Sequence, residues 1–374
     1  MDAMADRRRV GDRLPSFPWD RLAPHKATAA AHPEGAVDLS VGTPVDPVPE
    51  TVRQALAAAS DSPGYPATYG TPELRAAAAD WLARCHGVQV EPAAVLPSLG
   101  SKEFVAWLPT LLGLGPGDTV VYPELAYPTY DIGVRLAGAE PAASDGLTAL
   151  GPAPVRLVWI NSPANPTGRV LGAEHLRKVV SWARERGAIV ASDECYIGLG
   201  WEGIEPVSVL HPDVCGGSHD GILALHSLSK RSNLAGYRAA FAAGDQALID
   251  ELLEVRKHAG MIMPGPVQAA MRAALEDDDH AREQKARYSA RRTALRSAFE
   301  AAGWRITHSE AGLYLWAAHP DRDAWGSVAL LAEHGILVAP GDFYGPAGAG
   351  HVRVAFTAAD ERVAAAVKRL SALS

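Results

Sequence analysis

Between about residues 71 and 258, short aliphatic and β-branched runs alternate with longer segments of helical period. Few architectures accept that order. A strand that returns parallel to its predecessor needs a crossover of a dozen or more residues, and the crossovers become helices covering both faces of one sheet. The expected class is therefore α/β. Thr119-Val120-Val121-Tyr122, Val155-Arg156-Leu157-Val158-Trp159-Ile160, Ala188-Ile189-Val190-Ala191 and Ile222-Leu223-Ala224-Leu225 read as strands. A helix begins at Thr71, where the hydroxyl caps, Pro72 suits the first turn and Glu73 faces the positive dipole end; Gly87 closes it. Leu74, Ala77, Ala78, Trp81, Leu82 and Cys85 share one face of that helix, so Cys85 is expected in the core.

A chain of 374 residues exceeds one ordinary core. The pattern changes after Met263-Pro264-Gly265-Pro266: a long charged helical stretch from Asp277 to Ala302 is followed by short strands near Leu313 to Trp316 and Val352 to Phe356. We expect a large domain over 39–265 and a smaller α+β domain over 266–374. Residues 1–38 are expected to form an arm or to join the smaller domain. A net charge of -8 argues against a nucleic-acid or anionic-membrane surface, so the expected ligand is small. Cys85, Cys195 and Cys215 form neither a disulfide framework nor a metal knuckle, and no metal is expected. No apolar segment follows Arg7-Arg8-Arg9, and no run approaches the roughly 18 apolar residues of a membrane helix. The expected location is the cytoplasm.

The chemistry-bearing strings lie just past the C-terminal ends of the expected strands, where open α/β sheets gather their ligands. They are Asn165-Pro166-Thr167-Gly168, Ser192-Asp193-Glu194-Cys195-Tyr196 and Ser227-Leu228-Ser229-Lys230, with Arg238 eight residues further on. An isolated lysine is an ordinary surface residue. In this company Lys230 has what a lysine carrying a pyridoxal phosphate Schiff base requires: an anion anchor, a carboxylate for the pyridine nitrogen and donors for the ring hydroxyl. Ser227 and Arg238 suit a phosphate dianion, and Gly100-Ser101-Lys102 adds a helix N-terminus. Asp193, past a buried strand, needs a cationic partner, which a protonated pyridine supplies. Asn165 and Tyr196 suit the ring phenolate oxygen. Tyr127 suits the ring face, with a core tyrosine as the alternative. Arg353 alternates with apolar neighbours, and an inward arginine must find an anion such as an α-carboxylate.

Together these strings resemble the class I/II aminotransferases of the pyridoxal phosphate fold-type I superfamily, from about Leu39 to Val367. The resemblance implies a large domain with a mainly parallel seven-stranded sheet and a smaller α+β domain. It implies Lys230 as the Schiff-base lysine, Asp193 as the pyridine partner, and Asn165 and Tyr196 at the ring hydroxyl. Ser101, Lys102, Ser227 and Arg238 would hold the phosphate, Tyr127 the ring, and Gly42, Asn165 and Arg353 the substrate. Tyr65 sits where the family sends a tyrosine to the neighbouring subunit, which implies a homodimer. Leu14-Pro15-Ser16-Phe17-Pro18-Trp19-Asp20 and Leu39-Ser40-Val41-Gly42-Thr43-Pro44 look most like N-succinyl-diaminopimelate aminotransferases. Glutamate and 2-oxoglutarate are then the implied amino donor and its product, on the route to lysine and diaminopimelate. Alternatives inside the class are another amino acid aminotransferase, aspartate or aromatic, and a C–S lyase. Outside it, Ser227-x-x-Lys230 matches a serine acyl-transfer string whose S-D-N and K-T-G companions are missing. An effector-sensing module would need a DNA-binding segment that these residues do not show.

Overall fold

The computed structural model describes residues 10–151 and 153–373; Arg7-Arg8-Arg9 lie outside the described residues. Seven strands make the central sheet: β1 (Val95–Leu99), β2 (Thr119–Tyr122), β3 (Glu140–Ala143), β4 (Val155–Asn161), β5 (Ile189–Asp193), β6 (Ile222–Ser227) and β7 (Ala239–Gly244). Their order is β1-β7-β6-β5-β4-β2-β3. Only β7 runs against its neighbours. The sheet is the mainly parallel one expected, with β1, β3 and β7 added to the strands read from sequence.

Strand alternation divides this sheet between two cores. Val158, Ile160, Val190, Ile222, Ala224 and Phe241 face the helices Pro72–His86, Ala173–Arg184 and Gly265–Glu276. Leu157, Trp159, Ala191, Leu223 and Leu225 face Ser101–Leu111, Thr129–Ala137 and Gln246–Ala259. Both faces are covered, which is why these strands read as unbroken apolar runs. The helix Pro72–His86 starts as its sequence requires: the Thr71 hydroxyl accepts from Leu74 N–H, and Gly87 closes the helix in the left-handed region. Cys85 corrects the expected apolar face, because it is exposed. It lies one turn past Leu82, where the helix leaves the core, and its thiol lies 3.6 Å from Asp278 Oδ1.

A third core belongs to the smaller sheet, β8 (Arg305–Thr307), β9 (Tyr314–Ala318), β10 (Ala339–Pro340) and β11 (Val352–Ala355), ordered β10-β11-β9-β8 and antiparallel throughout. Leu295 and Phe299 of the long helix Asp279–Ala301 pack here, as do Leu22, Ala29 and Val37 from the N-terminal stretch. Val37–Asp38 also pairs in parallel with Ile336–Leu337. The helix Gly265–Glu276 buries Ala270, Met271, Ala274 and Leu275 in the large-sheet core, so the packing changes hands after Glu276 rather than at residue 265. Among the described residues, no helix is long and apolar enough to cross a membrane.

Candidate active site

Register brings the separated motifs to one edge. Asn161 and Asp193 are paired last residues of β4 and β5, while Ser227 at the end of β6 pairs with Ala240 at the start of β7. Because β7 is reversed, its entry residue Arg238 arrives at the same edge, and Leu99 of β1 pairs with Ala239 beside it. Gly100, Ser101, Ser227, Lys230 and Arg238 thus meet from three strands.

Alternation then sorts the side chains. Asp193 continues the series of Ala191 on one face of β5, so the neighbouring Glu194 is directed to the other. Asp193 is buried; Oδ2 accepts from the Tyr130 hydroxyl at 2.9 Å and Oδ1 from Cys195 N–H at 3.2 Å. Burial pushes its carboxyl above the usual range, and no cationic side chain pairs with it among the described residues. Asn161 ties the strand ends together: Nδ2 donates to Asp193 O at 3.0 Å and Oδ1 accepts from Asn165 N–H at 2.8 Å.

The Lys230 ammonium donates to Gly42 O. Burial lowers its pKa, and the Arg353 charge adds to the effect. Arg353 is buried on β11, donating to Asn165 Oδ1 at 2.9 Å and Ser40 O at 2.7 Å. Its guanidinium lies 4.0 Å from the Tyr314 ring centroid and 4.9 Å from that of Tyr344. No carboxylate pairs with it among the described residues. Tyr196 and Tyr314 share a hydroxyl–hydroxyl bond of 3.0 Å. Burial raises both phenols, but at Tyr314 the charges of Arg353 and Lys230 outweigh it, so Tyr314 is lowered and Tyr196 is raised.

At the phosphate-type end, the Arg238 guanidinium lies against Gly100, where a Cβ would collide with it. Gly100 has φ of 85°, opening the helix Ser101–Leu111 with its backbone N–H groups uncovered. Ser227 Oγ accepts from Ser229 N–H at 3.2 Å. Tyr127 is half-buried, edge-on to Tyr130 with ring centroids 6.2 Å apart. Two candidates stand apart: Lys102 is exposed, and Tyr65 is 100% exposed. Beside the site, a cavity of about 370 Å³ opens between the Pro15–Arg21 stretch, Tyr122, Asp131 and Tyr344, and includes Tyr127.

Sequence reasoning passed over Tyr130, Asn161, Tyr314 and Tyr344. Tyr130 stands three residues after Tyr127, in Ala126-Tyr127-Pro128-Thr129-Tyr130, and was given no role. Tyr314 looked like one more apolar strand residue, since nothing local marks a phenol that will face an arginine on a distant strand.

The residues fit pyridoxal phosphate: a buried carboxylate with no cation among the described residues, a half-buried lysine and an arginine-backed helix N-terminus gather at one sheet edge. The comparisons agree. The family model for aminotransferase class I and II matches residues 34–370. The chain is 64% identical to a Mycobacterium tuberculosis protein named "Probable aminotransferase Rv1178", over 97% of this chain and 86% of that one. It is 60% identical to the 4-dedimethylamino-4-oxo-anhydrotetracycline transaminase OxyQ of Streptomyces rimosus, over 96% of this chain and 99% of that one. Among solved structures, an aminotransferase from Neisseria meningitidis superposes with a TM-score of 0.88 at 30% identity, covering 97% of this chain and 98% of that chain. The chain therefore belongs to the class I and II aminotransferases, pyridoxal phosphate-dependent enzymes of fold type I.

Proposed function

We propose that this site moves an amino group from an amino acid to a 2-oxo acid or ketone, with Lys230 as attachment point and base. One observation carries the reading. Asp193 and Arg353 are buried charges of opposite sign that find no counter-ion among the described residues, and Lys230 lies near enough to Arg353 to feel its charge. An unpaired buried charge is costly, so each implies a charged group brought in from outside. For Asp193 that group is a pyridinium nitrogen. For Arg353 it is the substrate α-carboxylate, which a guanidinium grips with two parallel bonds.

When bound, pyridoxal phosphate supplies an electrophilic carbonyl carbon and a ring that withdraws electrons from the substrate. The chain's own part is positional. Asp193 would hold the ring nitrogen, with the Tyr130 hydroxyl and Cys195 N–H fixing its carboxylate and Asn161 its backbone carbonyl. Asn165 and Tyr196 would donate to the ring oxygen, and Tyr127 would cover the ring face. Arg238, Ser101, Ser227 and Lys102 would neutralise the phosphate. Gly42 and Arg353 would border the substrate. Lys230 Nζ, depressed by burial, takes the α-proton. The fully exposed Tyr65 suits donation to a second copy, giving a homodimer with shared sites. Three free cysteines fit the reducing cytoplasm.

The finer reading is N-succinyl-LL-2,6-diaminopimelate with 2-oxoglutarate. In its support, a Thermus thermophilus protein titled a probable N-succinyldiaminopimelate aminotransferase superposes with a TM-score of 0.85 at 29% identity, over 96% of this chain. LL-diaminopimelate aminotransferases such as that of Dehalococcoides mccartyi share 33% identity over 96% of this chain. A succinyl carboxylate needs its own cation. Arg21 beside the cavity is paired with Asp342 at 3.2 Å, whereas Lys102 has no ion pair among the described residues. The relation to OxyQ favours a second reading, a fused-ring ketone as acceptor.

The test is the visible spectrum of the cofactor-loaded enzyme with glutamate, followed by acceptor trials. Loss of the yellow band with release of 2-oxoglutarate is expected. A spectrum unmoved by glutamate, with pyruvate released from cystathionine, would instead make the enzyme a C–S lyase. Lys230→Ala should fold yet not turn over; near-normal turnover in that variant would overturn the assignment. With cofactor saturating, so that any loss at the phosphate is made good, Lys102→Ala should weaken a succinylated substrate but not glutamate.

A further inference from the structure

Lys230 is held from its backbone by a side chain of the smaller-sheet helix. The one-turn helix Leu228–Arg231 ends immediately after it, so its carbonyl is one that helix hydrogen bonding leaves open. The N–H that a continuing helix would send to it, that of Leu234, turns to Leu228 O instead. Among the described residues, the partner of Lys230 O is the Tyr288 hydroxyl at 3.3 Å.

Tyr288 belongs to a series rather than acting alone. Its hydroxyl is also 3.3 Å from Asn233 Oδ1, and Asn233 Nδ2 donates to Gln284 Oε1 at 2.9 Å. Gln284 Nε2 donates to Asp46 Oδ2 at 2.7 Å. Arg291 grips the same carboxylate with bonds of 2.7 and 2.6 Å and reaches Asp360 at 2.6 Å through Nε. Gln284, Tyr288 and Arg291 lie at helical spacing on the buried face of Asp279–Ala301. Asp46 follows by four residues the Gly42 whose carbonyl accepts from the Lys230 ammonium. One helix thus holds both the backbone of Lys230 and the loop segment, residues 42–46, that faces its nitrogen.

We propose that Tyr288 is a positioning residue for Lys230, and that the Asn233–Gln284–Asp46–Arg291 series couples Lys230 to the smaller sheet. The inference rests on the reading of Lys230 as attachment point and base. The ring of Tyr288 is fully buried in the smaller core, so removing the hydroxyl leaves the packing in place. What changes is the freedom of the Lys230 carbonyl, and with it the direction of the side chain. Misdirection of a proton-transferring group lowers turnover without weakening a carboxylate clamp elsewhere.

The test compares Tyr288→Phe with the parent as holoenzyme. Losing one net hydrogen bond predicts a kcat about 3- to 10-fold lower, with KM for glutamate unchanged within about twofold. The pH midpoint of the visible cofactor band should shift, because the lysine nitrogen has moved in its field. Asp46→Asn should shift the same midpoint in the same direction, and the double variant should fall short of additivity. An unchanged midpoint in Tyr288→Phe would overturn the proposal, whether kcat is unchanged or falls only together with Tm. The outcome is separable from the Lys230 assignment: turnover in Lys230→Ala would sink that reading, while an inert Tyr288→Phe beside a dead Lys230→Ala would sink only this one.

Discussion

Arg353 Nη1 donates to Asn165 Oδ1 at 2.9 Å, joining the smaller sheet to the loop beyond β4. The amide oxygen accepts from the arginine, which leaves the Asn165 N–H₂ group free to donate toward a ring oxygen. The guanidinium keeps Nε and its remaining N–H groups for a ligand. Asn165 thereby orients both partners at once.

Arg353→Lys keeps the charge but loses the planar fork. We expect kcat/KM for glutamate to fall by roughly 10²-fold, mostly through KM, because a lysine cannot hold Asn165, Ser40 and a bidentate carboxylate together. Steady-state kinetics with saturating cofactor measures this. A variant with unaltered KM would place the carboxylate elsewhere.

Asp193→Asn separates stability from function. Burial raises the Asp193 pKa in the cofactor-free protein, so the folded form binds the proton more tightly than the unfolded chain. Its cost is absent at acid pH and grows as pH rises from the usual carboxylate range through the raised folded value. Cofactor-free Asp193→Asn should therefore melt higher than the parent at neutral pH. The same variant should lose cofactor affinity and, by analogy with other preorganised charges, about 10²- to 10³-fold in turnover. Thermal melts with and without pyridoxal phosphate should show opposite signs; a lower melting point for the cofactor-free variant would refute the argument.

The three thiols should rank by surroundings rather than by position in sequence. Cys215 is buried, and Cys195 is raised well above the usual thiol range by burial and by Asp193. Cys85 is exposed yet also raised, by partial burial and the Asp278 charge. Alkylation of the native protein should modify Cys85 alone, slowly at neutral pH and faster in alkali. Peptide mass mapping checks the order; early labelling of Cys195 would show its thiol to be open to solvent.

Legibility followed locality. The class, four central strands and the helix Pro72–His86 were readable because period, caps and apolar runs are encoded within a dozen residues. Lys230, Asp193 and Asn165 stood out as candidates because their strings fall at or just past strand ends, and Arg353 because it interrupts the apolar strand β11. β3 was missed since Glu140-Pro141-Ala142-Ala143 has little strand propensity and is held by β2 alone, at the sheet edge. β7, Ala239–Gly244, is alanine-rich, and its place between β1 and β6 is a tertiary choice. Tyr130 and Tyr314 share that problem: each is defined by a partner 63 or 118 residues away, Asp193 and Tyr196 respectively. Cys85 failed for the opposite reason, as the helical period continues beyond the place where the core stops.

Glu194 gives the sharpest pH prediction because it points away from Asp193, into the opposite core. Burial pushes its carboxyl up to about 7, while Oε1 accepts from Val209 N–H at 2.7 Å. His226 Nε2 lies 3.6 Å from Oε2, and burial drives that imidazole well below its ordinary value; His86, stacked nearby, falls to about 4. Near pH 6 all three are then largely neutral. The linkage signs oppose. Glu194 binds its proton more tightly folded, so its contribution falls as pH rises from about 4.5 to about 7. The histidines bind theirs more weakly folded, so their contribution is full above the ordinary value of 6.5 and is lost as pH falls toward their folded values. Between about pH 4.5 and 6.5 the one carboxylate offsets only one of the two histidines, so these three groups together make stability rise with pH there at about half the slope of the histidines alone. Glu194→Gln removes one side of the balance. Urea unfolding of this variant should show stability rising with pH up to about 6.5 and level beyond it. A variant profile parallel to the parent's would mean that Glu194 titrates in its ordinary range despite its burial.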